Sequence, residues 1–308
     1  MTDIDIQIKN FLCSDKQIEL RAKTPFAKPV VRFAPSMNGD LHLGHALNFY
    51  ANYFYARKHG GQLLLVPEMP APSVYENPGF RSLLWPDCQW AVRKKEGLDR
   101  RMKWLSLMIE FYYRDVRWIC PDFAYPFLPL CLHTDMYPFF NNILSAIMDT
   151  AHAEYFYADQ EFFKHAVSHK LGVDTLIRGR DLQGFPLVRR FTDCFQPSPK
   201  EYYHPLLVCD DGKVSKSSAG LHPELQLTNL IGNNPEMEGM ARSQRSMVLG
   251  AYAVAAFSGM VPTTLEEVFI FYLQYDIDHL CAQPNIVYSG RDFSACVQLV
   301  RKHLKEQS

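Results

Sequence analysis

The 308-residue chain has no long hydrophobic run, although 47% of its residues are hydrophobic. No apolar stretch reaches the roughly 18 residues that a membrane-spanning helix needs. The first residues, MTDIDIQIKN, lack both the basic region and the apolar region of a secretory signal. These absences predict a globular protein of the cytoplasm without a membrane partner.

Paired cysteines are also absent. The eight cysteines stand singly, without a C-x-x-C pair, which is typical of reduced thiols rather than of a disulfide framework. Cys120, Cys131 and His133 come nearest to a metal cluster, but no fourth ligand follows at a usual spacing. His165 and His169 could lie on one helix face, where an exposed pair is the simpler interpretation. We therefore predict no structural metal site.

Neither sign of charge is in excess, since 32 Lys and Arg stand against 33 Asp and Glu. A net charge of −1 gives no overall attraction to nucleic acid. Local basic clusters, such as Arg93–Lys95 and Arg189–Arg190, could still form a stripe. Composition alone therefore neither requires nor excludes a nucleic-acid partner.

Apolar runs and turn residues predict an α/β fold with parallel strands. KPVVRFAP predicts a buried strand ending near Ala34, and ALNFYANYFYARKHGG predicts a helix that stops at Gly60–Gly61. QLLLV predicts the next strand, which completes a strand-helix-strand unit. The segments VDTLIRGRDL and YYHPLLVCDDGK predict further strands, and the chain after about residue 225 is largely helical.

The densest group of reactive residues is FAPSMNGDLHLGH, residues 33–45. Asn38 and Gly39 predict a turn between the first strand and a helix that begins near residue 41 or 42. Such a helix start presents unpaired N–H groups and a partial positive charge, which suit a phosphate. Gly44 would let a ligand approach the backbone.

His42 and His45 lie three residues apart and therefore project from one side of the first helical turn. Two imidazoles beside a phosphate can donate hydrogen bonds to charge that builds during phosphoryl or nucleotidyl transfer. A Walker loop does not fit, because its lysine and hydroxyl are missing after Gly44. A zinc helix does not fit either, because it needs histidines four apart and a glutamate. Capping or surface histidines remain the alternative.

A second group is DGKVSKSS, residues 211–218, where Lys213 and Lys216 flank Ser215. Two lysines in a glycine-containing loop can hold a polyphosphate whose charge shifts as it breaks. Such a loop alone is more often solvated surface. Together with the histidine motif it is much more specific.

HLGH and KVSKS look like the two signature motifs of class I aminoacyl-tRNA synthetases. The context RFAPSMNGDLHLGHALN, followed by ARKHGGQLLLVPE, resembles the glutamyl/glutaminyl branch, and GVDTLIRG (172–179) is similar to its GVTHVIRG segment. The resemblance covers most of residues 30–220. Because no anticodon-binding domain follows, the chain most resembles the short glutamyl-queuosine tRNA(Asp) synthetases.

The resemblance implies a Rossmann-like catalytic domain that activates an amino acid, glutamate in this branch, with ATP and Mg²⁺ and transfers it to tRNA. It assigns catalysis to His42, His45, Lys213 and Lys216. It assigns ATP binding to Pro35, Gly39, His42, Gly44, His45, Lys213, Ser215 and Lys216. It assigns amino-acid binding to Arg32, Ser36, Glu68, Gln160 and Arg178. Within that set, Glu68 would meet the ammonium group and Arg178 a side-chain carboxylate, which matches a guanidinium fork.

With this resemblance the chain divides into five predicted parts. They are a leader (1–24), the first half of the nucleotide-binding domain (25–82), an aromatic helical insertion like an acceptor-binding domain (83–150), the second half with the KVSKS loop (151–225), and a helical C-terminal region (226–308).

The chain departs from the family in the amino-acid pocket. The family's RIEDTD is VPEMPA (66–71) here, which keeps Glu68 but loses the arginine and both aspartates. The family's pocket tyrosine falls at Gln160, with Tyr157 as a stand-in after a shift. Three hypotheses follow: an enzyme that charges tRNA, a ligase that passes the aminoacyl adenylate to a small molecule or carrier, and a catalytically silent paralogue. The oligomeric state is not predicted.

Overall fold

The computed structural model describes residues 29–35, 41–65, 117–119, 172–184, 199–210, 212–214 and 222–307. All structural statements below concern these residues. The predicted leader lies outside them, as does the predicted insertion apart from the helical turn Arg117–Ile119. The domain boundaries therefore stay predictions.

Two pairs of parallel strands carry the N-terminal half of the fold. Strand β1 (Val30–Phe33) pairs with β2 (Gln62–Leu65), and β3 (Thr175–Gly179) pairs with β4 (Lys200–His204). Asp174 joins the pairs, because its N–H donates to the Val30 carbonyl over 3.1 Å and its Oδ1 accepts the Val30 N–H over 3.0 Å. The strands therefore start at one edge and end at the opposite edge, where ligands bind in open α/β sheets.

Helix α1 (Leu43–Lys58) connects β1 to β2, as the sequence predicts. It ends at Lys58, and Gly60, which follows the C-cap residue His59, has a φ of 62°, a conformation that glycine adopts readily. The side chains of Asn48 and Asn52 both donate to the Ile177 carbonyl, over 3.3 and 3.2 Å, and so hold α1 against β3. The helix therefore has a fixed position relative to the strand that carries Arg178.

A small three-stranded sheet follows. Strand β5 (Leu207–Cys209) forms a hairpin with β6 (Gly212–Lys213), and β5 also pairs in parallel with a short strand near the C-terminus, Ile286–Val287, named β7. The predicted helical region contains this strand as well as helices. Two residues are too few to give a periodic signal, which is why the sequence analysis missed it.

Four helices build the C-terminal region. They are α2 (Arg242–Ser258), α3 (Leu265–Gln274), α4 (Ile277–Ala282) and α5 (Gly290–Glu306). Shorter turns are the 3₁₀ segments Arg180–Leu182, Pro223–Leu225 and Pro235–Met237 and the π-helical segment Thr228–Gly232. Helix α2 contains the apolar segment MVLGAYAVAAF, residues 247–257, and is buried along most of it. The α/β class with a helical C-terminal region is thus confirmed.

No helix within the described ranges is both long and apolar enough to cross a membrane.

Candidate active site

The start of α1 is held by its two histidines. His42 is the N-cap residue, and its Nδ1 accepts the Gly44 N–H over 3.1 Å. In return, Nδ1 of His45 accepts the His42 N–H over 3.2 Å. This is a reciprocal capping box in which imidazoles replace the usual hydroxyl and carboxylate. The alternative of capping histidines is therefore part of the structure.

Capping also fixes the hydrogen-bonding role of each ring. Because Nδ1 of both rings accepts a backbone hydrogen, the neutral rings carry their hydrogen on Nε2. The ring centroids of His42 and His45 lie 4.0 Å apart. Two imidazole rings thus lie in contact at the positive end of a helix, and a helix start of this kind suits a phosphate.

Gly44 makes room for the His42 ring. A Cβ at position 44 would lie 2.9 Å from Cε1 and 3.0 Å from Nδ1 of His42, closer than real side chains approach. We expected glycine here so that a ligand could reach the backbone. The contact that the structure shows is with the imidazole, so any larger residue would displace the cap.

The first lysine of KVSKS, Lys213, lies on β6 and forms a salt bridge with Asp181. Its side chain is 43% exposed, and that of Asp181 is 35% exposed. Asp181 lies in the 3₁₀ segment Arg180–Leu182 that follows β3 and is not among the predicted site residues. A Cβ at Gly179 would lie 2.6 Å from the Asp181 Oδ1, so this glycine leaves space for the carboxylate.

Strand β5 lies between the start of α1 and the strand that carries Lys213. A Cβ at Gly44 would lie 3.7 Å from the Cβ of Leu207 on β5, and β5 is the hairpin partner of the strand that carries Lys213. The Leu227 N–H also donates to the Leu41 carbonyl over 2.8 Å, and His42 forms a β-bridge with Gln226. The segment after KVSKS therefore closes against the start of α1.

A cavity of about 120 Å³ lies at the carboxyl ends of β1 and β3. Its lining residues are Arg32, Ala34, Asn48, Leu176, Ile177, Arg178, Gly179 and Leu182. Two predicted amino-acid-binding residues, Arg32 and Arg178, thus share one cavity, and both are buried, with exposures of 5% and 6%. Buried guanidinium groups in a cavity favour an anionic ligand.

The Arg178 side chain is only partly satisfied. Its Nη2 donates to Oε1 of Glu201 over 3.0 Å, and the other oxygen of that carboxylate accepts the Tyr203 hydroxyl over 2.6 Å. Within the part of the chain that the structure describes, Nε and Nη1 of Arg178 have no acceptor. Buried donors without acceptors are rare and costly, and a bound carboxylate would satisfy them.

The remaining predicted residues have two outcomes. Pro35 is buried directly after β1. The others lie outside the described residues: Ser36, Gly39, Glu68, Gln160, Ser215 and Lys216. Cys120, Cys131, His133, His165 and His169 also lie outside them. Where residues are described, no group of three or more His, Cys, Asp or Glu could hold a metal ion.

His204, at the end of β4, is buried and contacts Asn48, a residue of the cavity wall. Its Nδ1 lies 2.7 Å from the Pro205 carbonyl, and its Nε2 lies 2.8 Å from the Asn48 amide nitrogen. The ring is therefore neutral, with hydrogen on Nδ1, and it positions an amide of the cavity wall. Burial lowers the pKa of His204 to about 4. The sequence does not point to His204, because a lone histidine in a strand carries no functional pattern.

The lowered pKa of His204 predicts acid sensitivity. Between its ordinary pKa of 6.5 and the folded value of about 4, the unfolded chain binds the extra proton, so stability falls as pH falls. From pH 7 to pH 5 the free energy of unfolding should drop by about 2 kcal/mol from this residue alone. Urea unfolding at both pH values checks this, with His204→Gln as the comparison. An equal pH dependence in the variant would exclude His204 as the source.

Residues 28–69 match the family described as tRNA synthetases class I (E and Q), catalytic domain. The matched segment contains β1, α1 and β2, together with the capping histidines and Arg32. The resemblance to the glutamyl/glutaminyl branch of the class I synthetases is therefore confirmed over this unit.

Several similar curated proteins are glutamate–tRNA ligases. The chain is 55% identical over 73 residues to glutamate–tRNA ligase 2 of Syntrophus aciditrophicus, which is 23% of this chain and 15% of the relative. It is 35% identical over 83 residues to the Nanoarchaeum equitans enzyme, 26% of this chain and 14% of the relative. A crystal structure of glutamate-tRNA synthetase from Elizabethkingia anophelis is 13% identical, with a TM-score of 0.45 over 91% of this chain and 71% of that chain. The sequence matches thus span a small part of each relative.

Proposed function

We propose that the protein is a ligase of the class I aminoacyl-tRNA synthetase type, which activates glutamate with ATP and transfers it to tRNA. The observation that supports it most is the start of α1, where His42 and His45 cap the helix and Gly44 lies beside Leu207 of β5, in the sheet that carries Lys213. This is the segment that matches the synthetase family. The cytoplasmic location expected from the sequence belongs to the same proposal.

In this proposal ATP lies at the carboxyl ends of the strands, between α1 and the KVSKS loop. His42 and His45 donate hydrogen bonds to its phosphates, and the start of α1 adds a partial positive charge. Lys213 and Lys216 hold the departing pyrophosphate. To do so, Lys213 would leave its salt bridge with Asp181 and bind the phosphate instead. The residues fit a nucleoside triphosphate because the two imidazoles are hydrogen-bond donors and the two lysines are cations. Mg²⁺ would enter with the nucleotide and offset the phosphate charge.

The amino acid occupies the cavity beside the ATP. Arg32 and Arg178 bind carboxylate groups there, and Ser36 and Glu68 are the proposed contacts to the rest of the amino acid. The substrate carboxylate attacks the α-phosphate, the bond to pyrophosphate breaks, and an aminoacyl adenylate forms. The chain contributes chiefly position and charge stabilisation to this step. Glutamate fits because its second carboxylate supplies acceptors for Nε and Nη1 of Arg178.

The tRNA acceptor is proposed from the names of the relatives, glutamate–tRNA ligases. The transfer would join the activated carboxyl to a hydroxyl of the tRNA and release AMP. The short glutamyl-queuosine type is the finer proposal, in which the acceptor is a modified anticodon base. A tRNA without queuosine would then be charged poorly.

Exchange of labelled pyrophosphate into ATP tests activation. With each standard amino acid in turn, with and without tRNA, we expect exchange that depends on glutamate. Labelled glutamate should then appear in acid-precipitated tRNA, and tRNA binding should weaken with added salt. Exchange without any label on tRNA would favour the ligase that uses a small acceptor. Silence with every amino acid would favour a paralogue without catalysis.

A further inference from the structure

Glu201 is the only carboxylate that the described residues place against the Arg178 guanidinium. The register of β3 and β4 explains its position, because Arg178 is opposite Tyr203 and Leu176 is opposite Glu201. Residues two apart on a strand share a face, so Glu201 and Tyr203 lie on the face from which Arg178 projects. The contact between Glu201 and Arg178 is thus diagonal across the two strands.

Tyr203 holds Glu201 in place. Its hydroxyl donates to Oε2 of Glu201, so Oε1 is directed at Nη2 of Arg178. Burial raises the pKa of Tyr203 to about 12, and the hydrogen bond to Glu201 adds to this effect. The hydroxyl therefore keeps its hydrogen at neutral pH and remains a donor. The chain of contacts is Tyr203 to Glu201 to Arg178.

A purely structural ion pair would use more of the guanidinium. Here the carboxylate takes one nitrogen, and Nε and Nη1 have no acceptor among the described residues. The Arg178 side chain is 7% exposed, whereas that of Glu201 is 23% exposed. A buried arginine anchored at one nitrogen, beside a cavity that it lines, is an arrangement for receiving an anion.

We propose that Glu201 is a positioning residue that holds Arg178 by Nη2 and so fixes the guanidinium for the side-chain carboxylate of the amino acid. This inference rests on the proposed function, which it deepens. Glu201 acts through Arg178 and does not touch the substrate. Its contribution is the placement of the oxygen rather than its negative charge, because a second anion in the cavity would oppose the substrate.

The test compares Glu201→Ala, Glu201→Gln and Tyr203→Phe. Alanine removes the anchor, so we expect the KM for glutamate in pyrophosphate exchange to rise about tenfold. The glutamine amide can keep both contacts, with its oxygen toward Arg178 and its NH₂ toward the Tyr203 oxygen, so its KM should stay within about threefold of the parent. Tyr203→Phe loses only the hydrogen bond that holds Glu201, so its KM for glutamate should lie between those of the alanine and glutamine variants. The KM for ATP and kcat should not change.

Two further measurements make the result specific. Glu266→Ala, which removes an exposed glutamate from α3, is the matched control and should behave as the parent. Calorimetric binding of glutarate, a dicarboxylate without an amino group, reports on the cavity without catalysis. If Glu201→Ala weakens glutarate binding while the parent shows no exchange with any amino acid, the positioning role stands and the proposed function fails.

Other outcomes would overturn the role of Glu201. They are an unchanged KM for glutamate in Glu201→Ala, an equal rise in the KM for ATP, and a Glu201→Gln variant as impaired as the alanine variant. Failure of the parent to bind either glutamate or glutarate would also overturn it. If Glu201→Ala does not fold, Tyr203→Phe is the test. Full parental affinity of Tyr203→Phe for glutarate would contradict the role of the Tyr203 hydrogen bond in holding Glu201.

Discussion

His42→Asn is expected to slow pyrophosphate exchange about 100-fold while the protein keeps its stability. Asparagine is among the best N-cap residues, so its amide oxygen can accept the Gly44 N–H as Nδ1 of His42 does. It cannot replace the ring Nε2, which is the proposed donor to the phosphate. Removing one donor to charge that develops in the transition state costs about 100-fold to 1000-fold in rate. The rate and the urea midpoint, measured on one preparation, separate the two roles.

Two further variants complete the His42 experiment. His42→Ala loses both roles, so we expect the same loss of rate together with about 1 kcal/mol of stability. His59→Asn replaces the histidine at the opposite end of α1 and should leave exchange unchanged. Near-normal exchange by His42→Asn would mean that His42 is a cap and nothing more, and the proposed contact with phosphate would then be wrong.

The local part of the site could be predicted from the sequence. The two ends of α1 depend on neighbouring residues, because turn-forming residue types stand before the helix in the sequence and Gly60–Gly61 follow it, and both leave patterns within one short window. Capping histidines are an alternative that the sequence leaves open, and the reciprocal pairing follows from the spacing of His42 and His45, which is that of a serine and a glutamate in a capping box. A histidine Nδ1 can accept a backbone hydrogen just as those side chains do.

The tertiary part of the site could not be predicted in this way. The resemblance predicts a site role for Arg178, but Glu201 and Tyr203 meet this residue only because β3 and β4 pair in one register. A shift of one residue would turn both side chains to the other face. Asp181 and His204 likewise depend on strands that are distant in the sequence. Such contacts leave no periodic pattern, so a single sequence does not reveal them.

Arg178→Lys is expected to raise the KM for glutamate about 100-fold. Lysine keeps one positive charge but replaces a planar fork by a single ammonium group. It cannot donate to Glu201 in the present geometry and also present two further nitrogens to the cavity. Loss of one charge-assisted hydrogen bond costs about 1.5–3 kcal/mol, and a factor of 100 corresponds to about 2.8 kcal/mol. Pyrophosphate exchange at varied glutamate concentration measures this, with ATP saturating.

Arg180→Lys is the matched control for this prediction. Arg180 lies two residues further along the chain, but its Nη2 donates to the Cys281 and Gln283 carbonyls over 2.8 and 2.6 Å, at the end of α4. It therefore holds the C-terminal region rather than the cavity, and its lysine variant should keep the parental KM for glutamate. The KM for ATP should be unchanged in both variants, because the capping histidines and Lys213 remain. A parental KM for glutamate in Arg178→Lys would show that the substrate carboxylate binds elsewhere.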